Sequence, residues 1–169
     1  MTGARLQPPA LLGLAADDLT GATDSAVGFS EHGWRVELIL RPNDPPSSVP
    51  RTDQTPTVLA ISTDARAKSD ADAARATFTA VDMLVRTGAQ RLYLKIDSTI
   101  RGSIPGQLAG ALRAWRQLHP DATAVVCPAF PAQRRTVVGG SVLVDGIPVA
   151  KTAAGTDQSP HARSATWPP

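Results

Sequence analysis

Short apolar runs alternate with helically spaced ones from Leu11 to Cys127. Leu11–Ala16 (LLGLAA), Thr57–Ser62 (TVLAIS) and Ala122–Cys127 (ATAVVC) read as strands covered on both faces, and Arg35–Leu40 (RVELIL) and Arg91–Ile96 (RLYLKI) as further strands. Between them, Ala22, Ala26 and Phe29 recur at helical spacing and Gly33 stops the helix. A second helix starts at Ser69, with Asp70 and Asp72 in its first turn, presents Ala74, Phe78, Val81 and Val85, and ends at Gly88. A third, capped by Ser103, carries Leu108, Ala111, Leu112 and Trp115 as its buried stripe. Strands alternating with helices predict an α/β fold: a Rossmann-like, open, mostly parallel sheet flanked by helices, with right-handed crossovers.

After Pro131 the pattern changes. RRTVVGGSVLVDGIPVAKT combines β-branched residues, glycines and an Asp-Gly pair, and predicts a C-terminal β-hairpin extension. Residues 1–10 and 153–169 show no periodicity and are expected to be loose, leaving one domain over 11–152. Arg41–Pro56, rich in Pro, Ser and Asp, is a loop.

Composition narrows the function classes. With a net charge of +2, 4% aromatic residues and no basic run of five, the chain lacks the charge patches and stacking platforms of nucleic-acid binders. Its isolated arginines suit a small anion better. The N-terminus has no basic segment followed by an apolar one, and no apolar run approaches a membrane span. The single cysteine, Cys127, forms no internal disulfide and reads as a core residue, so the expected compartment is the cytoplasm. His32, His119 and His161 share no ligand spacing, so no metal site is expected. Neither a Walker sequence nor G-x-G-x-x-G after a strand is present.

Ligands of open α/β sheets sit beyond the carboxyl ends of the strands, and polar clusters fall there. Asp17-Asp18-Leu19-Thr20-Gly21-Ala22 follows the first strand: one carboxylate can accept a hydroxyl proton, and the free N–H groups near Gly21 make an anion site. Taken alone, Asp18 or Thr20 need do no more than cap the helix while Asp17 stays solvated. Lys95-Ile96-Asp97-Ser98-Thr99-Ile100-Arg101 follows the fourth strand; alternation puts Lys95 and Asp97 on one side, and Arg101 can clamp a carboxylate with two parallel hydrogen bonds. A plain Lys95–Asp97 surface pair is the structural alternative. Pro128-Ala129-Phe130-Pro131, a rigid turn in which a cis bond is an option, precedes Gln133-Arg134-Arg135-Thr136. Ser62-Thr63-Asp64-Ala65-Arg66 lies after the third strand.

Together, ADDLTGATD at 16–24, STDAR at 62–66, LKIDSTIRGS at 94–103 and PAFPAQRRTVVGG at 128–140 resemble the four-carbon acid sugar kinase family, in order and in spacing. The resemblance implies a longer, two-domain enzyme. Its N-terminal domain would hold threonate, erythronate or 3-oxo-tetronate, and a C-terminal domain, beginning where this chain ends, would hold ATP and Mg2+. Carried over by position, Asp17 and Asp18 would contact substrate hydroxyls, one of them as base. Thr20, Gly21, Lys95, Asp97, Ser98 and Arg101 would hold the acid, with Arg66 and Arg135 as further anion partners. The chain departs from the family pattern at Ser103, Pro105 and Gln107, where Asn, Gly and Glu are usual, and at Arg134, where Gly is usual; Arg134 is expected to crowd or recharge the pocket. The chain alone is then an inactive, sugar-acid-binding half of a kinase, able to form homo-oligomers. The competing class is a stand-alone small-anion-binding or regulatory module without catalysis. A haloacid-dehalogenase-type phosphatase is excluded by spacing, because D-x-D needs an acid at position 19, which is leucine.

Overall fold

A computed structural model describes residues 10–40 and 55–155. The expected loose ends beyond these bounds, and nearly all of the 41–56 loop, lie outside the described residues. The order is β1 (Leu11–Ala16), α1 (Leu19–Glu31), β2 (Arg35–Ile39), β3 (Thr57–Ser62), α2 (Asp70–Arg86), β4 (Arg91–Lys95), α3 (Ile104–Trp115), β5 (Arg135–Val138), β6 (Ser141–Val144) and β7 (Ile147–Pro148). The first four strands form a parallel sheet in the order β2-β3-β1-β4, with Leu11 opposite Thr57 on one side and Leu12 opposite Arg91 on the other. The last three form a separate antiparallel sheet, turned at Gly139-Gly140 and Asp145-Gly146, all with positive φ.

Period-two alternation divides the core between the sheet's faces. Leu14, Ala16, Val58 and Ala60 pack under α1 with Ala22, Phe29 and Trp34. Ala15, Leu59 and Ile61 meet α2 and α3 through Val81, Leu84, Ala111 and Ala114. Helices on opposite faces leave a crevice beyond the carboxyl end of β1, between the chain's excursion to β2 and β3 and its return to β4.

The α2–α3 contact differs from the expected stripe. The buried face of α3 is Ile104, Gly106, Gln107, Gly110, Ala111 and Ala114, while Leu108, Leu112 and Trp115 are only half-buried. The reason is close approach: a Cβ at Gly106 would meet the backbone of Asp70, and one at Gly110 the backbone of Ala74. Small residues seat the two helices together and turn the larger ones toward the β4 side. On α2 the buried positions are Ala73, Thr77, Ala80, Val81, Leu84 and Val85, with Ala74 and Phe78 at the margin. Pro105 sits in the first turn of α3, where a missing N–H costs little. Ser103 precedes that helix without capping it; its hydroxyl donates to the Lys68 carbonyl.

The fifth strand is absent. Ala122–Cys127 forms no ladder, and β4 has β1 as its one partner among the described residues. Across a groove of about 510 Å³ the segment faces Leu92, Leu94, Leu108, Leu112 and Trp115. Val125 is 96% exposed, and Cys127, expected in the core, is exposed as well. An apolar β-branched run signals that a segment fits a pleated surface; pairing is decided by tertiary context. Peptide bonds among the described residues are trans, including those at Pro128 and Pro131.

Replacing Gly110 by Ala on an open helix face would help the helix by up to about 1 kcal/mol. Here urea denaturation should show a loss of about 1–3 kcal/mol for Gly106→Ala or Gly110→Ala, from overpacking against α2. A gain in stability at either position would refute the close crossing.

Candidate functional site

Asp17 leaves β1 with its backbone fixed on both sides: its N–H donates to the Lys95 carbonyl, and its own carbonyl accepts from the N–H groups of Ala65 and Arg66. The side chain is 0% exposed. Its charge is met by Arg66, whose Nε donates to Oδ2 at 2.8 Å and Nη2 to Oδ1 at 3.0 Å. The remaining Arg66 nitrogen, Nη1, lies 2.7 Å from Asp18 Oδ2, and Nη2 is 3.9 Å from Asp97 Oδ1. One guanidinium thus stands among three carboxylates. Burial pushes the Asp17 carboxyl above its ordinary value, with the Arg66 bonds opposing the rise. Burial works against the Arg66 charge too, but the Asp17 bond together with the negative charges of Asp17, Asp97 and Asp18 outweighs it, and the guanidinium is held more firmly protonated.

Asp18 combines two roles. Its Oδ1 accepts from the Gly21 N–H at 2.7 Å and caps α1, and its other oxygen takes the Arg66 pair. Gly21 is required by this arrangement, since a Cβ there would lie 2.7 Å from Asp18 Oδ1 and 3.3 Å from the Lys95 stem. The alternative in which Asp17 stays solvated while Asp18 caps the helix is met only in its second half: Asp18 caps α1 and is partly exposed, and Asp17 is buried.

Beyond β4 the chain winds tightly around Asp97. Arg101 donates Nε to Oδ2 at 2.9 Å and Nη2 to Oδ1 at 3.0 Å, its backbone N–H reaches Oδ2 at 3.1 Å, and the Thr99 hydroxyl donates to the same oxygen. Arg101 does clamp a carboxylate in two parallel bonds, and that carboxylate is Asp97. Burial opposes the charge on Asp97, yet these bonds hold its carboxyl well below the usual carboxylate range. The winding puts Ile100 at φ 60, a conformation seldom taken by a β-branched residue. Gly102 follows at φ 86, and a Cβ on it would lie 2.6 Å from the Arg66 carbonyl oxygen, so the turn is pressed onto the loop that carries Arg66.

Lys95 makes no pair with Asp97. Its Nζ donates to the Ile96 carbonyl at 2.7 Å, and among the described residues neither Lys95 nor Arg135 has a carboxylate within ion-pair distance. Both line a cleft of about 850 Å³, as do Asp18, Thr20, Gly21, Arg66, Asp97, Ser98 and Arg101. Asp17 does not line it. Arg134 stays out as well: it takes a left-handed φ of 54, where glycine is favoured, and its Nη1 reaches Asp145 Oδ1 at 3.2 Å. The expected crowding of the pocket by Arg134 therefore does not occur. Cleft-lining residues that sequence reading missed are Phe29, His32, Trp34 and Tyr93, with Phe29 edge-on to Trp34 at 5.3 Å and to Tyr93 at 6.4 Å. Tyr93 was within reach, because it alternates with Lys95 along β4.

Two predictions follow from the charge cluster. Arg66→Ala leaves Asp17 buried without its partner and should lower stability by about 2–3 kcal/mol, below the larger losses of fully enclosed pairs because Arg66 is 25% exposed. The pH response has opposite signs at the two acids. Unfolding returns Asp97 to about 3.8, so its contribution is complete above that pH and is lost as pH falls through the depressed native value. Asp17 is raised in the fold, so its contribution is complete below 3.8 and declines as pH rises through the native value. Urea titrations from about pH 5 down to about pH 2 should therefore show a shallower acid loss for Asp97→Asn than for the parent chain, and no such flattening for Asp17→Asn.

A family model described as "Sugar-binding N-terminal domain" matches residues 12–166. A D-threonate kinase from Bordetella bronchiseptica is 42% identical over 146 residues, covering 86% of this chain and 35% of the relative. A D-erythronate kinase from Heliobacterium modesticaldum is 34% identical over 145 residues, covering 85% and 31%. A crystal structure of a domain of unknown function from Bordetella bronchiseptica, a domain-swapped dimer with bound citrate, superimposes with a TM-score of 0.77 at 40% identity, over 90% of this chain and 38% of that one. The chain thus spans about a third of the length of the curated relatives it matches. The matched span contains every residue of the strand-end cluster, and this chain belongs to the sugar-binding N-terminal domain family, with four-carbon acid sugar kinases as its relatives.

Proposed function

We propose that this chain is the sugar-acid-binding part of an ATP-dependent kinase for threonate, erythronate or 3-oxo-tetronate. The observation that carries the reading is the division of charge at the crevice. Asp17, Asp18 and Asp97 are paired with Arg66 and Arg101, while Lys95 and Arg135 line the cleft without a carboxylate within ion-pair distance among the described residues, beside the α1 N-terminus that Asp18 caps. Such a surface favours a small carboxylate. Thr20, Ser98 and Asp18 then meet the hydroxyls that distinguish a sugar acid from a simple one. The citrate bound by the Bordetella relative is likewise a hydroxylated carboxylate.

In phosphoryl transfer the acceptor oxygen takes the γ-phosphoryl group and loses its proton as ADP departs. Asp18 is the carboxylate placed to receive that proton or to orient the hydroxyl, and Asp17 acts behind it by fixing Arg66. Little covalent help is needed, since positioning and charge dominate this reaction. A divalent cation does not fit among Asp17, Asp18 and Asp97, because the Arg66 guanidinium already stands between them. In this reading ATP and Mg2+ are held mainly by the rest of a longer polypeptide, so the chain alone binds acid without turnover. No helix among the described residues is long and apolar enough to cross a membrane, and the one cysteine suits the reducing cytoplasm. Self-association, as in the swapped relative, is part of the same proposal.

The test is a thermal melt against D- and L-threonate, D- and L-erythronate and their 3-oxo forms. At a hundred times its dissociation constant the right acid adds about 2.7 kcal/mol, a rise of roughly 5–10 °C at this size. Lys95→Met and Arg135→Met should each abolish that rise while leaving the unliganded melt in place. A parent chain that melts cooperatively and is moved by none of these acids would overturn the reading.

A further inference from the structure

The cleft of about 850 Å³ is longer than a four-carbon acid. One side of it runs along α1, where Gly21, Asp24, Ser25, Gly28, Phe29 and His32 line it at helical spacing. β4 flanks the same trough. At one end a Cβ on Gly21 would lie 3.3 Å from Lys95 Cγ, and at the other the Phe29 ring stands 6.4 Å from that of Tyr93. From Gly21 to Phe29 the helix advances about 12 Å. A four-carbon chain has the same three bonds as the step between neighbouring Cα atoms and spans about 4 Å. An acid held at Lys95 therefore stops well short of the aromatic end.

That end has a chemistry of its own. Phe29 stands edge-on to both Trp34 and Tyr93, and Tyr93 is 41% exposed. These rings offer a ligand an apolar surface of fixed geometry. Beside them on α1 are groups that bond hydroxyls: the Asp24 carboxylate, the Ser25 hydroxyl and the His32 imidazole, all lining the cleft. His32 Nδ1 lies 2.7 Å from the Gly28 carbonyl and donates to it, so in the neutral ring Nε2 is left as an acceptor. A phosphate is not matched here. α1 has no lysine or arginine, and of the cations of β4 only Lys95, at the acid end, lines the cleft.

Gly28 lies between the two ends. A glycine inside a helix weakens it relative to alanine, and the packing requires none here, because a Cβ at Gly28 would meet no atom within 4 Å. On α3 the glycines admit a neighbouring backbone, whereas at Gly28 the space is open cleft. Bare backbone at that place lets a ligand lie close against the helix.

We propose that the aromatic end of the cleft is a second subsite, for a neutral sugar ring of the hexopyranose kind, in line with the acid site. The C–H face of the ring covers Gly28 and packs on Phe29 and Tyr93, while its hydroxyls meet Asp24, Ser25 and His32. The ligand class that fills both ends is a glycosylated sugar acid. The acid end rests on the function proposed above; the ring subsite does not.

Nuclear magnetic resonance of the isotope-labelled full chain tests the two ends separately. Methyl glucopyranoside, which has the ring and no carboxylate, should shift the amides of Gly28 and Tyr93 and the Trp34 indole, and leave those of Gly21 and Lys95 in place. D-threonate should do the reverse, and at saturation should leave the glucoside affinity within about twofold. Cellobionate, maltobionate and lactobionate carry a hexose ring on the fourth carbon of a carboxylate chain. At least one of them should bind at least about tenfold more tightly than the glucoside, because its second contact is intramolecular. Gly28→Leu, which fills the bare place and favours the helix, and Tyr93→Ala should each weaken the glucoside at least about tenfold and leave D-threonate within about twofold. Glucoside shifts that are absent from Gly28, Trp34 and Tyr93 would overturn the proposal, as would unchanged glucoside binding by Gly28→Leu. Shifts of these signals by adenosine and not by the glucoside would overturn it in favour of a nucleobase. Competition between glucoside and D-threonate, or no gain for any of the three linked acids, would refute two subsites in line. If D-threonate moves no signal, the function reading fails, and the glucoside titration still decides the ring subsite.

Discussion

The carboxylate of Asp17 has no contact with solvent, and a buried charge persists in a fold only where another charge and hydrogen bonds replace its water. Arg66 supplies both. Because its fork is taken up by Asp17 and its outer nitrogen by Asp18, the loop after β3 is tied to the loop after β1. Gly102 then presses the turn after β4 onto the Arg66 backbone. Three loops from three strands are thereby held at one place by a single residue, through its side chain and its backbone, and the cleft inherits its shape from that contact. Removal of Arg66 would disturb the site through position as much as through charge.

The architecture explains why the contact falls there. With α1 on one face and α2 and α3 on the other, the crevice beyond β1 is where backbone groups and helix ends converge. The glycine-mediated seating of α3 on α2 completes the frame by fixing where the segment after Gly102 begins. Strain is tolerated beside the site, at Ile100, because the bonds from Arg101 and Thr99 to Asp97 fix the turn from within. The cations left over, Lys95 and Arg135, come from β4 and β5 and line the same cleft.

Much of this was legible in the chain. The bounds of β1 and β3 follow from their apolar runs to the residue, the start of α2 from Ser69, and the hairpin from its glycine turns, because period and turn chemistry are local properties. The strand-end clusters, and the idea that they serve an anion, are local as well: a strand of known direction tells which of its ends carries the loop. What the pattern could not supply was the partner of each charged group. Arg101 and Asp97 were both visible, but that one clamps the other is a matter of how four residues wind in space.

The sequence by itself therefore determined the alternation of strands and helices, the end of the sheet where polar residues gather, and the family resemblance that four ordered motifs carry. Tertiary structure decided that Asp17 is sealed while Asp18 faces the cleft, that Arg66 is the common partner, and that Arg134 turns away to Asp145. It also decided that small residues, not leucines, form the α2–α3 contact, and that Ala122–Cys127 lies off the sheet. The physical reason is the same throughout. Periodicity records which side of an element is apolar, whereas ion pairing, close approach and strand pairing depend on distances between residues far apart in the chain, which only the folded backbone sets.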